Sequence, residues 1–159
     1  MNRVRQSGFT YLAALFLVAI MGAVLATTGV VWSTSQQRDR ERELLLVGKQ
    51  FRDAIGQYYE HSPGSLKKYP ETLDDLLKDE RQLATRRYLR KVFIDPMTRT
   101  NKWGVVPALG GGIMGVYSLS DDKPLKTGNF NDNDQYLAGK TKYSEWRFIY
   151  RPVQPKNPS

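Results

Sequence analysis

The chain of 159 residues has no cysteine and one histidine, His61. The first absence excludes disulfide staples, thiol nucleophiles and thiolate metal sites. The second excludes a multi-histidine metal centre. Proline is missing before Pro63, so no ring closes off a helix over that stretch. Charge is missing between Arg5 and Arg38. Acidic residues are the minority, 16 against 24 basic, for a net charge of +8. The basic residues form no single long tract, which is the pattern of a solvated surface and argues against a nucleic-acid partner. Catalytic signatures are also scarce. Ser62 adjoins His61, but in a Pro-Gly loop. Asp74 and Asp75 are neighbours that a helix would point in different directions. "LGGGIMG" lacks the lysine and the strand-to-helix context of a phosphate-binding loop, and reads as a hairpin turn. No enzyme is expected.

What is present begins with the uncharged run. As a helix, Phe9 to Trp32 would extend about 36 Å, enough for a hydrocarbon core of about 30 Å. Arg3 and Arg5 precede it, which would hold the N-terminus in the cytoplasm. Trp32 is suited to an interfacial position. A cleavable signal peptide is the alternative, but Val24-Leu25-Ala26 is a poor small-x-small site, and apolar residues continue to Trp32. The run is therefore expected to be a transmembrane helix over 9–32.

The next stretch, "RDRERELLLVGKQFRDAIGQYYEH", places Leu44, Val47, Phe51, Ile55, Tyr58 and Tyr59 at spacings of three and four, one helical face. One long helix from Phe9 to Tyr59 follows, apolar all round first and amphipathic over 33–60. Gly22, Gly29 and Gly48 are the expected soft points. Beyond it, 61–159 reads as a globular head. "PETLDDLLKDE" and "RQLATRRYLRKVFID" suggest two short helices, the first with Leu73, Leu76 and Leu77 inward, the second with Leu83, Tyr88, Leu89, Val92 and Phe93 inward. "WGVVPAL" and "IMGVYSLS" read as strands about a Gly110-Gly111-Gly112 turn. In "EWRFIYR", Trp146, Phe148 and Tyr150 alternate with Arg147, Ile149 and Arg151, so the aromatics would face a helix. The fold class is α+β, a long N-terminal helix packed on a small antiparallel sheet.

The segment "SGFTYLAALFLVAIMGAVL" resembles the processing site of type IV pilins and type II secretion pseudopilins: a short basic leader, then Gly8, Phe9, Thr10 and an apolar helix. "YPETLDDLL", "LRKVFIDPMT", "WGVV", "GGIMGVYSLSDDKPLK" and "YSEWRFIY" look like later blocks of pseudopilin-like proteins related to the major pseudopilin. The resemblance implies a pilin-like fold and a cleaved leader, 1–8. A prepilin peptidase would cut between Gly8 and Phe9, and Phe9 would be N-methylated. It also implies a periplasmic head on a single-pass inner-membrane protein. Partners would be other pseudopilins or pilins and an inner-membrane assembly platform. The family generally carries a glutamate five residues after the cut; here that position is Ala13. A buried acid in lipid needs a partner, and in the family it meets the terminal amine of a neighbouring subunit. Ala13 therefore points to a minor or initiating subunit of a type II secretion pseudopilus. A minor pilin of a type IV pilus or DNA-uptake filament is one alternative, and a non-polymerising anchored binding domain is another.

No cofactor is required by this reading. Asp121, Asp122, Asp132, Asn133 and Asp134 lie in a polar loop and offer hard oxygen atoms of the kind calcium takes. The resembling family binds calcium in a C-terminal loop, but these residues follow neither that pattern nor the EF-hand spacing. A solvated loop of Asn/Asp turns is the preferred reading.

Overall fold

With no proline to interrupt it, the N-terminal stretch forms one helix, α1, over Ser7–Glu60. The computed structural model describes residues 7–81 and 84–152, with side chains for 10–22, 32–81 and 84–152. Residues 1–6 of the expected leader and Leu83 lie outside the described residues, as do the side chain of Phe9 and the Gly8 environment. The chain divides into two compact units, Met1–Asp39 and Arg40–Ser159.

The first unit carries the apolar part of α1. Among the described residues, no helix is long and apolar enough to cross a membrane. The transmembrane first half expected over 9–32 is corrected accordingly, and the described residues do not support the single-pass anchor built on it.

The second unit is built on the amphipathic part of α1. Leu44, Val47, Phe51, Ile55 and Tyr58 are all buried, as their spacing predicts. Tyr59 is half-buried, its ring centroid 4.5 Å from that of Tyr69 and 6.0 Å from that of Tyr150. Three strands follow: β1 (Gly104–Pro107), β2 (Ile113–Tyr117) and β3 (Phe148–Ile149). They form one antiparallel sheet in the order β1-β2-β3. Val116 pairs with Val105 on one side and Phe148 on the other. The β1–β2 turn needs positive φ, which Gly111 (90°) and Gly112 (81°) supply without strain. Trp146 and Phe148 are fully buried and Tyr150 packs partly against the core, while Arg147 and Arg151 face out. The α+β class and the alternation of "EWRFIYR" both hold.

Close approach between α1 and this last segment depends on two glycines. A Cβ on Gly48 would lie 2.4 Å from Cγ and Cδ2 of Phe148 and 2.5 Å from Cδ1, and one on Gly56 would lie 2.6 Å from Tyr150 Cδ2 and Cε2. The two glycines are eight residues apart, about two turns along the helix, and the aromatics they meet lie in β3 (Phe148) and just beyond it (Tyr150). Gly48, expected as a soft point, is instead a seat for an aromatic ring within a continuous helix.

Among the described residues, the two short helices expected between Pro70 and Asp95 are not formed. Over the first there is only a 3-10 turn, Asp74–Leu76. There the Asp75 carboxylate accepts the N–H groups of Glu71 and Thr72, each at 2.9 Å. Side-chain bonding of this kind competes with helix formation. Over the second, Asp79 bridges Arg86, and the N–H groups of Tyr88 and Leu89 both donate to Leu76 O at 2.9 Å. Leu76 and Leu89 still reach the core. Their burial drove the helical spacing; an irregular path achieves the same burial.

Candidate functional site

Among the described residues, the longest run of exposed large apolar side chains lies on the first unit. Tyr11, Leu12, Leu15, Phe16, Leu17, Val18, Ile20 and Met21 are each between 50% and 68% exposed. Their positions surround the helix, with Ala13 exposed among them. Isolated apolar side chains on a surface need no explanation, but a contiguous set of this size marks a surface that is covered by something.

On the second unit, polar side chains fix irregular loops. Glu41 is only 4% exposed. Its Oε1 accepts from the Leu125 N–H at 2.6 Å, the Lys126 N–H at 3.1 Å and the Tyr143 hydroxyl at 2.9 Å. One carboxylate on α1 thereby clamps both ends of the long polar loop. Asp95, fully buried, receives the Met97 N–H and the hydroxyls of Thr98 and Ser118 at 2.7 to 3.0 Å. At the C-terminus of α1, Arg81 donates to Tyr58 O and to Ser62 Oγ, each at 2.9 Å, and lies 3.5 Å from the Tyr58 ring centroid. Lys67 reaches Glu60 O. Cations at this end suit both the unpaired carbonyls and the helix dipole. Asp79 holds Arg81 through two further bonds of 2.8 Å. Those bonds from Arg81 hold the Asp79 carboxyl down at about 2, against the opposing effect of burial. Ser62 is thus a buried node in this network, with Arg81 rather than His61 on its hydroxyl.

The five candidate calcium ligands are not brought together. Asp121 takes the Ser144 hydroxyl at 2.9 Å and Lys142 Nζ at 3.3 Å. Asp122 takes the Ser120 hydroxyl at 3.1 Å, and Asp132 the Gln135 amide at 3.4 Å. Asp134 is buried in an ion pair with Arg52 at 2.6 Å, and Arg52 also donates to Asn133 O at 3.2 Å. Among the described residues no group of three or more His, Cys, Asp or Glu side chains could hold a metal ion.

Spacing alone pointed to neither Glu41 nor Arg81, and marked Gly48 only as a soft point. Glu41 was hidden in the charged string "RDRERE". The available signal was its place three residues before Leu44, on the same helical stripe. For Gly48 the signal was equivalent, a glycine on the buried face beside Leu44 and Phe51. Comparisons with protein-family models, curated proteins and solved structures find no match for this chain.

Proposed function

We propose that the chain is a pilin-like structural subunit of a filament built at the bacterial inner membrane, of the type II secretion pseudopilus kind. The observation that carries this reading is the exposure, on every side, of the large apolar side chains from Tyr11 to Met21. They follow directly on the Gly8-Phe9-Thr10 motif that resembles a prepilin processing site. In a filament, helices of neighbouring subunits cover such a surface, and burial at about 25 cal/mol per Å² drives the packing. The chain's part in this is mechanical and not catalytic: the helix joins a bundle and the head is displayed on the periplasmic side. ATP hydrolysis that drives growth belongs to another protein.

Ala13 refines the reading to a minor or initiating subunit. Such a subunit receives no terminal amine from another and needs no acid there, while its own Phe9 amine remains available to the subunit on which it docks. The absence of cysteine makes the test clean. Single Phe16→Cys or Leu17→Cys chains, expressed with the other subunits of the filament, should form disulfides with cysteines placed on neighbouring helices, at low copy number. If neither position forms a crosslink with any subunit, the helix is not part of a bundle and the reading is overturned.

A further inference from the structure

A groove of about 510 Å³ opens on the head between α1 and the irregular segment 88–93. One wall is helical, with Gln50, Asp53 and Gln57 along it; the other is made by Tyr88, Arg90 and Lys91. Ala54 and Leu89, 1% and 5% exposed, lie at its apolar base. Arg90 and Lys91 make one wall basic, with Asp53 the acid on the other. Between residues 81 and 102 the chain carries seven Arg or Lys and one acid, Asp95, which is fully buried. Arg86, Arg87, Arg90 and Lys91 are all exposed. Among the described residues, neither Arg90 nor Lys91 is paired with a carboxylate.

The lining distinguishes between anionic partners. Gln50 and Gln57 are seven residues apart, about 10 Å along the helix, which is the length of about three residues of extended chain. Each amide offers both a donor and an acceptor, matching the alternating C=O and N–H of a peptide. Asp53 between them can accept only, which suits a peptide N–H. The apolar base is shaped for an aliphatic side chain, and the arginine fork matches a carboxylate.

We propose that this groove docks an extended acidic segment of a partner protein, seating an aliphatic side chain over Ala54 and Leu89 and laying carboxylates against Arg90 and Lys91. The site stands apart from the helix surface on which the filament reading rests, and neither depends on the other. The test is fluorescence anisotropy with the full chain and three labelled probes: a peptide of alternating glutamate and leucine, the same peptide with glutamine for glutamate, and an oligothymidylate of similar length. The acidic peptide should bind saturably, at least about tenfold tighter than the neutral one, and weaken as salt rises. Arg90→Glu with Lys91→Glu should lose that binding by about tenfold or more, and Gln57→Glu should weaken it too. Lys140→Glu with Arg147→Glu makes the same change in net charge outside the groove and should leave affinity within about twofold. Equal binding of the two peptides, tighter binding of the oligothymidylate, or equal losses from both double variants would each overturn the assignment.

Discussion

Gly48→Ala puts two general rules in opposition on one atom. In an ordinary helix interior, replacing glycine by alanine stabilises by about 1 kcal/mol. Here the added methyl would occupy space held by Cγ, Cδ1 and Cδ2 of Phe148. Phe148 is fully buried, so its ring cannot swing into water. Either the ring leaves its rotamer or β3 moves away from α1. Overpacking of this kind costs about 1–3 kcal/mol, and overlap with three ring carbons belongs near the top of that range. The expected net effect is a loss of about 2 kcal/mol. For a unit of about 120 residues this lowers Tm by about 8 °C. Urea and thermal unfolding followed by tryptophan fluorescence are suitable, because Trp103 and Trp146 are buried in the same unit. Gly56→Ala is the internal comparison: it meets Tyr150, which is only partly buried and can yield, so its effect should be near zero. In the Gly48→Ala background, Phe148→Leu should be less damaging than in the native chain, since the smaller side chain relieves the overlap. A rise in Tm for Gly48→Ala would mean helix propensity alone governs the site, and the helix-on-sheet contact would be wrong.

Other outcomes follow from the polar clusters. Glu41→Ala leaves two loop N–H groups and the Tyr143 hydroxyl without their acceptor; the expected loss is roughly 2–4 kcal/mol, with faster amide hydrogen exchange at Leu125 and Lys126. Because Asp79 sits at about 2 when folded and about 3.9 when unfolded, its contribution is present above about pH 4 and lost as pH falls through about 2. Asp79→Asn should flatten that part of the acid-unfolding curve by about 2 kcal/mol; an unchanged curve would remove the Arg81 pairing from the account. Millimolar calcium should leave Tm unchanged, since Asp121, Asp122, Asp132 and Asp134 are each engaged by separate neighbours; a saturable rise would show that the loop regroups around the ion.

Periodicity made part of this fold readable in advance. The Leu44/Val47/Phe51/Ile55/Tyr58 stripe and the Trp146/Phe148/Tyr150 alternation report burial directly, because each repeats the period of its own element. The stretch from Pro70 to Asp95 misled, since apolar residues spaced for a helix can also reach the core from an irregular chain. What decided its path was side-chain bonding by Asp75, Asp79 and Arg81, whose partners are set by the tertiary fold. Glu41 and its loop are 84 residues apart, so no local spacing links them. The clustered Asp and Asn residues of the loop were adjacent in sequence but are turned to different neighbours. The apolar N-terminal run read as a membrane span, and among the described residues no helix is long and apolar enough to cross a membrane.

The filament reading is tested most directly by the mass of the mature N-terminus. The chain should be produced in bacterial cells that contain a prepilin peptidase, purified, and measured intact and after digestion. The account expects a protein beginning at Phe9 and carrying one N-methyl group, with a bulky or charged residue at position 8 blocking the cut. An unprocessed chain beginning at Met1, or one cut near Thr27, would contradict it.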